Sequence, residues 1–234
     1  MNECVFLMSK TTKDVLIAYD RTAPLYDLLN KFYFFGRDKR FRSMLTESLD
    51  LKPGYIVLDL CSGTGLDFSF ITKKIKPQGM LLGVDLSSEM LKQSKKKIGS
   101  KEIYLVRSDA ANLPFYDQIF DAILVSFCLK IIPTYEVAIE ELSRVLKVNG
   151  RVGVLANHKP TEALKFPGFV LTKLLSKISK IEFEISLKDL LAKKFNIFED
   201  KIIYGGFLRF FVAEKPDGSN FHVNRFIKRR NVRE

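Results

Sequence analysis

Val57-Leu58-Asp59-Leu60-Cys61-Ser62-Gly63-Thr64-Gly65 is followed, a short helix later, by Gly83-Val84-Asp85. In the first stretch an apolar run meets an acid, passes through a glycine turn and opens a helix. In the second an apolar run ends on another acid, twenty positions beyond Gly65. The glycines allow the backbone to approach a ligand with no Cβ in the way. An acid at the end of the next strand is where a carboxylate grips the two hydroxyls of a ribose. The pattern predicts an α/β domain that binds an adenosine-containing cofactor.

The loop discriminates among such cofactors. A dinucleotide fingerprint carries a third glycine for close helix–strand packing; here Phe68 stands in that place. A phosphate-cradling loop continues Gly-Lys-Ser/Thr; here Gly65 is followed by Leu66-Asp67. Asp59 sets negative charge beside the turn, which disfavours a pyrophosphate and suits a cationic ligand.

Asp59-Leu60-Cys61-Ser62-Gly63-Thr64-Gly65 resembles motif I of the class I S-adenosylmethionine-dependent methyltransferases, with Cys61 in place of its first glycine. Further stretches match that family in order. They are Gly83-Val84-Asp85-Leu86-Ser87-Ser88-Glu89-Met90, Ser108-Asp109-Ala110-Ala111-Asn112-Leu113-Pro114-Phe115, Phe120-Asp121-Ala122-Ile123-Leu124-Val125-Ser126 and Glu141-Leu142-Ser143-Arg144 through Gly150-Arg151. The resemblance implies a doubly wound, seven-stranded, mostly parallel sheet with an antiparallel last strand and a helical lid. It implies S-adenosylmethionine as cofactor, leaving S-adenosylhomocysteine as product.

The resemblance also assigns roles. Cys61, Gly63 and Gly65 are expected beside the methionine part of the cofactor, with Asp59 complementing its positive charge. Asp85 is expected to accept from the ribose, with Leu86 and Met90 near the adenine. Asp109 is expected to accept from the adenine amino group, with the Ala110 N–H beside it. Ser126 and Phe127 end the fourth strand and are expected to border the methyl. Asp121, at the start of that strand, reads as structural. His158 follows the fifth strand, and its ordinary pKa suits a general base; a plain loop histidine is the other reading. Tyr19 and Tyr26 either orient the acceptor or pack the lid.

Composition bounds the rest. The chain has 234 residues, 47% of them hydrophobic, enough for one α/β domain with a small elaboration. Its apolar runs fall short of the roughly 18–20 residues of a membrane span, and the start lacks a signal peptide's basic segment. Cys4, Cys61 and Cys128 are far apart, which suggests neither a disulfide framework nor a metal site and fits a cytoplasmic protein. With two histidines, His158 and His222, a histidine-based metal site is not expected. The net charge of +11 favours acidic partners such as nucleic acid or anionic lipid, or reflects only a lysine-rich surface.

Alternating signals predict strands at 55–60, 80–85, 102–107, 120–126 and 151–156, with helices near 66–76, 87–97 and 135–147. The chain then divides into a helical N-terminal lid (1–50), a cofactor-binding core (51–160), substrate-side lid helices (161–194), closing strands (195–216) and a basic tail (217–234). The last two strands, at 195–204 and 207–214, are expected to pair as a hairpin through Gly205-Gly206. Past Pro167, Phe169, Val170, Leu174, Leu175 and Ile178 alternate with Lys173, Lys177 and Lys180. Such a basic amphipathic helix can rest on an anionic membrane, or simply serve as a lid.

Ala18-Tyr19-Asp20-Arg21-Thr22-Ala23-Pro24-Leu25-Tyr26-Asp27-Leu28-Leu29-Asn30 resembles the first helices of the ubiquinone/menaquinone-biosynthesis C-methyltransferases. Those enzymes methylate the ring of a prenylated quinol precursor, which implies a small apolar acceptor. The resemblance covers residues 14–156; beyond it Ala156-Asn157-His158-Lys159-Pro160 departs from the family pattern. A phospholipid N-methyltransferase and an RNA methyltransferase using the basic surface remain the alternatives. The oligomeric state is left open by the sequence.

Overall fold

A computed structural model describes residues 11–99, 102–158 and 186–217. Seven strands form one sheet: β1 (Ile56–Leu60), β2 (Met80–Asp85), β3 (Ile103–Arg107), β4 (Phe120–Ser126), β5 (Leu146–Asn157), β6 (Asn196–Ile203) and β7 (Leu208–Glu214), in the order β3-β2-β1-β4-β5-β7-β6. The first five run parallel, while β7 slots between β5 and β6 antiparallel to both. The direction of winding reverses between β1 and β4. In open sheets of this kind ligands bind outside the carboxyl ends of the strands at such a switch.

Helices cover both faces, and successive strand residues feed alternate layers. Leu58, Leu60, Ile123, Val125, Val152 and Val154 pack with α6 (Tyr135–Val145) and α7 (Leu187–Leu191) on one face. Val57, Ala122, Leu124 and Leu155 pack with α3 (Asp38–Ser48) and α4 (Phe68–Ile75) on the other. Each such fully buried aliphatic or aromatic side chain contributes about 1.5–3 kcal/mol relative to exposure. Gly153 admits α3 closely: a Cβ there would meet Leu45 at 2.9 Å and Leu49 at 3.2 Å. α5 (Ser88–Lys95) opens on Ser87, whose side chain accepts the Met90 N–H.

Two details depart from the expected elements. The helical stretch 11–50 is three helices, α1 (Thr12–Thr22), α2 (Tyr26–Tyr33) and α3, not one run. A 3₁₀ turn at Ala23–Leu25, with Pro24 in its first turn, separates α1 from α2. A turn with Phe35 and Gly36 at positive φ separates α2 from α3. Residues 146–150, expected as helix end and turn, belong to β5, because Leu146 pairs with Phe120 before a register shift in β4. Of the expected substrate-side helices, α7 is described; the Phe169–Lys180 amphipathic segment and the basic tail from 218 lie outside the described residues. The β6–β7 hairpin forms as expected, through a 3₁₀ turn at Tyr204–Gly206.

Candidate active site

The carboxyl ends of β1, β2 and β3 open into a cleft. Leu60, Cys61, Val84, Asp85 and Leu86 line it from the first two strands, and Ser108, Asp109 and Ala110 from the loop after β3. Thr12 of α1 and Ile132-Pro133 after β4 complete the walls. Sequence reasoning singled out Cys61, Asp85, Leu86, Asp109 and Ala110, and the fold brings these together.

Asp85 organises the cleft. Its Oδ2 accepts the Gly63 N–H at 2.8 Å and its Oδ1 accepts the Ser87 N–H at 2.9 Å. The first bond ties the glycine loop to the end of β2. Burial pushes the carboxyl's pKa up, and the backbone N–H groups of Ser87, Gly63 and Leu86 oppose that rise. Each oxygen keeps a lone pair for a ribose hydroxyl. Asp109 Oδ1 accepts the Ala111 N–H at 2.9 Å, forming an Asx turn that presents the loop to the cleft.

The glycine loop is shaped by left-handed backbone. Cys61, Gly63 and Gly65 all have positive φ. A Cβ on Gly65 would meet the Phe68 ring at 2.6 Å. Cys61 carries its side chain at φ +54°, a conformation that favours glycine. Its thiol hydrogen-bonds Cys128, whose Sγ lies 3.8 Å from the Leu60 carbonyl. That contact, followed by burial, pushes the Cys61 thiol's pKa up, so it is a packed thiol rather than a nucleophile.

Asp59 lies behind the loop at 1% exposure, and neither carboxylate oxygen has a hydrogen-bond partner. Burial pushes its pKa well up, the Asp67 charge adds to the rise, and Arg42 partly offsets it. Arg42 itself forms a buried ion pair with Asp67. Ser62 Oγ and Ser126 Oγ are likewise buried without partners. An uncompensated buried carboxylate is costly, and a cationic ligand supplies what Asp59 lacks. An ammonium and sulfonium for Asp59, hydroxyls for Asp85 and an amino group for Asp109 fit S-adenosylmethionine. The residues present match that cofactor's donor set.

α1 and α2 lie over this cleft. Tyr19 and Tyr26 stack with ring centroids 6.2 Å apart. Burial pushes the Tyr19 phenol well up and the Tyr26 phenol up to about 12. Both sense the charge of Asp85, which places them above the cofactor cleft. The acids that follow these tyrosines were missed by sequence reasoning. Asp20 accepts from the Ser87 hydroxyl, and Asp27 accepts from the Thr64 hydroxyl while pairing with Lys97 at 2.6 Å. The repeat of Tyr-Asp at 19–20 and 26–27 was the available signal.

Other candidates sit elsewhere. Met90, a residue of α5, is fully buried; Leu86 and Pro133 line the cleft. Phe127, at φ +63°, turns into the layer beneath α2, 4.8 Å from the Phe34 ring, and does not line the cofactor cleft. Ser126 ends β4, buried beside it. His158 ends β5 outside the cofactor cleft, and its Nδ1 donates to the Gly206 carbonyl at 2.9 Å. Asp121 is structural: it accepts the Ile56 N–H at 2.8 Å and pairs with Lys147 at 2.6 Å.

With this geometry established, comparison with known proteins is informative. The profile of the ubiE/COQ5 methyltransferase family matches residues 7–186. The chain belongs to that family. It is 36% identical over 156 residues to a demethylmenaquinone methyltransferase of Lactobacillus johnsonii, a match covering 65% of this chain and 64% of that one. That is slightly less than two thirds of the relative's length. It is also 36% identical over 176 residues to a demethylmenaquinone methyltransferase of Staphylococcus aureus, covering 71% and 73% of the two chains. A solved SAM-dependent methyltransferase from Aquifex aeolicus superposes with a TM-score of 0.61 at 19% identity, over 83% of this chain and 97% of that one. A Haemonchus contortus phosphoethanolamine N-methyltransferase in complex with S-adenosylhomocysteine superposes with a TM-score of 0.70 at 15% identity, over 89% and 61%. These two structures share the ubiE/COQ5 member's fold. The expected fold class and family are therefore upheld.

Proposed function

We propose that this chain methylates a ring carbon of a prenylated quinol. The observation that carries this reading is the 36% identity to demethylmenaquinone methyltransferases, together with a family match over residues 7–186, which include the cofactor cleft and its tyrosine-bearing cover. Bound S-adenosylmethionine supplies an activated methyl, so the protein's tasks are alignment and exclusion of water. Asp59 and Asp85, with the loop Cys61–Gly65, hold the cofactor. Asp109 and Ala110 meet its adenine, and Ser126 borders the transfer path.

The acceptor carbon attacks the methyl, the carbon–sulfur bond breaks toward sulfur, and the ring carbon then loses a proton. Electron density on the ring rises when a quinol hydroxyl is deprotonated. His158 is the base in this reading. Its Nδ1–H is spent on the Gly206 carbonyl, which leaves Nε2 with the lone pair. Tyr19 and Tyr26 are phenols protonated at neutral pH, and burial pushes their pKa values further up. They are donors that orient the quinol oxygens. The RNA and phospholipid alternatives are not favoured by the relatives.

A quinol with a prenyl tail resides in a bilayer, and α2 supports peripheral contact with one. Leu25, Leu28, Leu29 and Phe32 face outward at 44% to 64% exposure. Among the described residues, exposed Lys31, Lys39 and Arg40 form no salt bridge, and they suit anionic headgroups. Among the described residues no helix is long and apolar enough to cross a membrane.

The test is transfer of labelled methyl from S-adenosylmethionine to chemically reduced demethylmenaquinone. Label in the organic phase that is lost with Asp85→Ala upholds the reading. Label that appears only with phosphatidylethanolamine or RNA overturns it.

A further inference from the structure

Four hydrogen bonds join into one belt around the cofactor cleft. Asp27 of α2 accepts from the Thr64 hydroxyl, and the adjacent Gly63 N–H donates to Asp85 at 2.8 Å. Asp85 also accepts the Ser87 N–H at 2.9 Å, and the Ser87 hydroxyl donates to Asp20 of α1. The belt thus runs from one lid helix to the other through the two loops that hold the cofactor. Its central carboxylate is the one placed to meet the ribose.

The belt is built from acids. Among the described residues, Asp20, Asp59, Asp85 and Asp109 form no salt bridge, while Lys97 serves Asp27 and Arg42 serves Asp67. Asp20 lies near enough to Asp85 for its charge to push up the Asp85 carboxyl. Closing the lid therefore gathers like charges around the cleft, which is unfavourable unless a cation lies between them. The cofactor brings a sulfonium and an ammonium against one carboxylate. Its product has lost the sulfonium charge.

We propose that Asp20 and Asp27 are lid-positioning residues that close α1 and α2 more firmly over the cationic cofactor than over its neutral product. The inference rests on the cofactor reading given above. The lid then holds substrate cofactor during transfer and loosens once the methyl has gone. A ligand can bias a conformational equilibrium only through such a difference in affinity for the two states.

The test pairs two ligands: S-adenosylhomocysteine, which is neutral, and sinefungin, which carries an ammonium in place of the sulfonium. Calorimetric affinity and amide hydrogen exchange over residues 12–33 are measured for each. The expected wild-type result is roughly three- to tenfold tighter binding of sinefungin, with greater protection of α1 and α2. Asp20→Asn and Asp27→Asn keep an acceptor oxygen and remove charge. The double variant should keep the protection with S-adenosylhomocysteine but show a clearly smaller preference for sinefungin, the remainder coming from Asp59 and Asp85. Asp20→Ala with Asp27→Ala should lose protection with both ligands, and in turnover should lower kcat more than it raises the KM for cofactor. Equal wild-type affinity and protection for the two ligands overturns the proposal while leaving the cofactor site intact. A preference undiminished in the Asn pair overturns it as well. Failure of both ligands to bind the wild type overturns the cofactor reading and this proposal together.

Discussion

Cys61 occupies a left-handed position, at φ +54°, that costs a residue with a Cβ about 1 kcal/mol. Cys61→Gly is therefore expected to fold and bind cofactor, with a melting temperature within a few degrees of wild type. Gly65→Ala is expected to behave oppositely. Its φ is +77° and its new Cβ would meet the Phe68 ring at 2.6 Å, so cofactor affinity should fall at least tenfold by calorimetry. Asp59 sets stability against binding. Its carboxyl pKa is raised by burial, so the penalty is absent below the ordinary carboxylate range and grows as pH rises through it. Asp59→Asn should stabilise the ligand-free protein at pH 7 by about 1–2 kcal/mol, make little difference near pH 4, and weaken cofactor binding. Thermal melts at the two pH values with a binding titration check all three. The acids and glycines of the cleft were legible because their chemistry is local to one motif each. Phe127 was not, since its turn away from the cleft is set by Phe34 and Arg42, far away in sequence.

At the scale of elements, α6 does more than cover the sheet. Arg144 donates to the carbonyls of Phe115 at 2.7 Å and Leu113 at 3.0 Å, and pairs with Glu141 and Asp117. Glu141 in turn accepts the Leu113 N–H at 2.8 Å. One helical face thereby clamps residues 113–117, directly after the loop that carries Asp109 and Ala110. Arg144→Ala should cost about 1–2 kcal/mol in urea unfolding, the pair being partly exposed, and should weaken cofactor binding more than acceptor binding. The five parallel strands were legible from apolar runs ending at polar turns. The extension of β5 back to Leu146 was not: it depends on pairing with Phe120 across the sheet, which local periodicity does not carry. The break between α1 and α2 was legible in Pro24, although the stretch read as one helical unit.

For the molecule as a whole, the cofactor half was written in short, contiguous motifs, which the fold gathers at the carboxyl ends of β1, β2 and β3. The cover was written in pairs of residues that meet only after folding, such as Asp20 with Ser87 and Asp27 with Thr64. A further expectation belongs at this scale. If α2 rests on lipid, Leu28→Ser with Phe32→Ser should abolish cosedimentation with phosphatidylglycerol vesicles and raise the KM for a long-tailed quinol, while a tailless one is turned over as before.

The strand order carries a consequence for how the chain is made. β7 is the last of the described strands to leave the ribosome, yet it is not an edge: it inserts between β5 and β6. Until residues 208–214 emerge, the nascent sheet ends at β5 with an unpaired row of backbone groups, a surface prone to wrong partners. The Gly206 and Phe207 carbonyls that receive the His158 ring and backbone N–H also arrive with that final insertion. Birth order thus separates the two halves of the enzyme: the pieces of the nucleotide cradle are synthesised early, and the histidine is set only when the last strand docks.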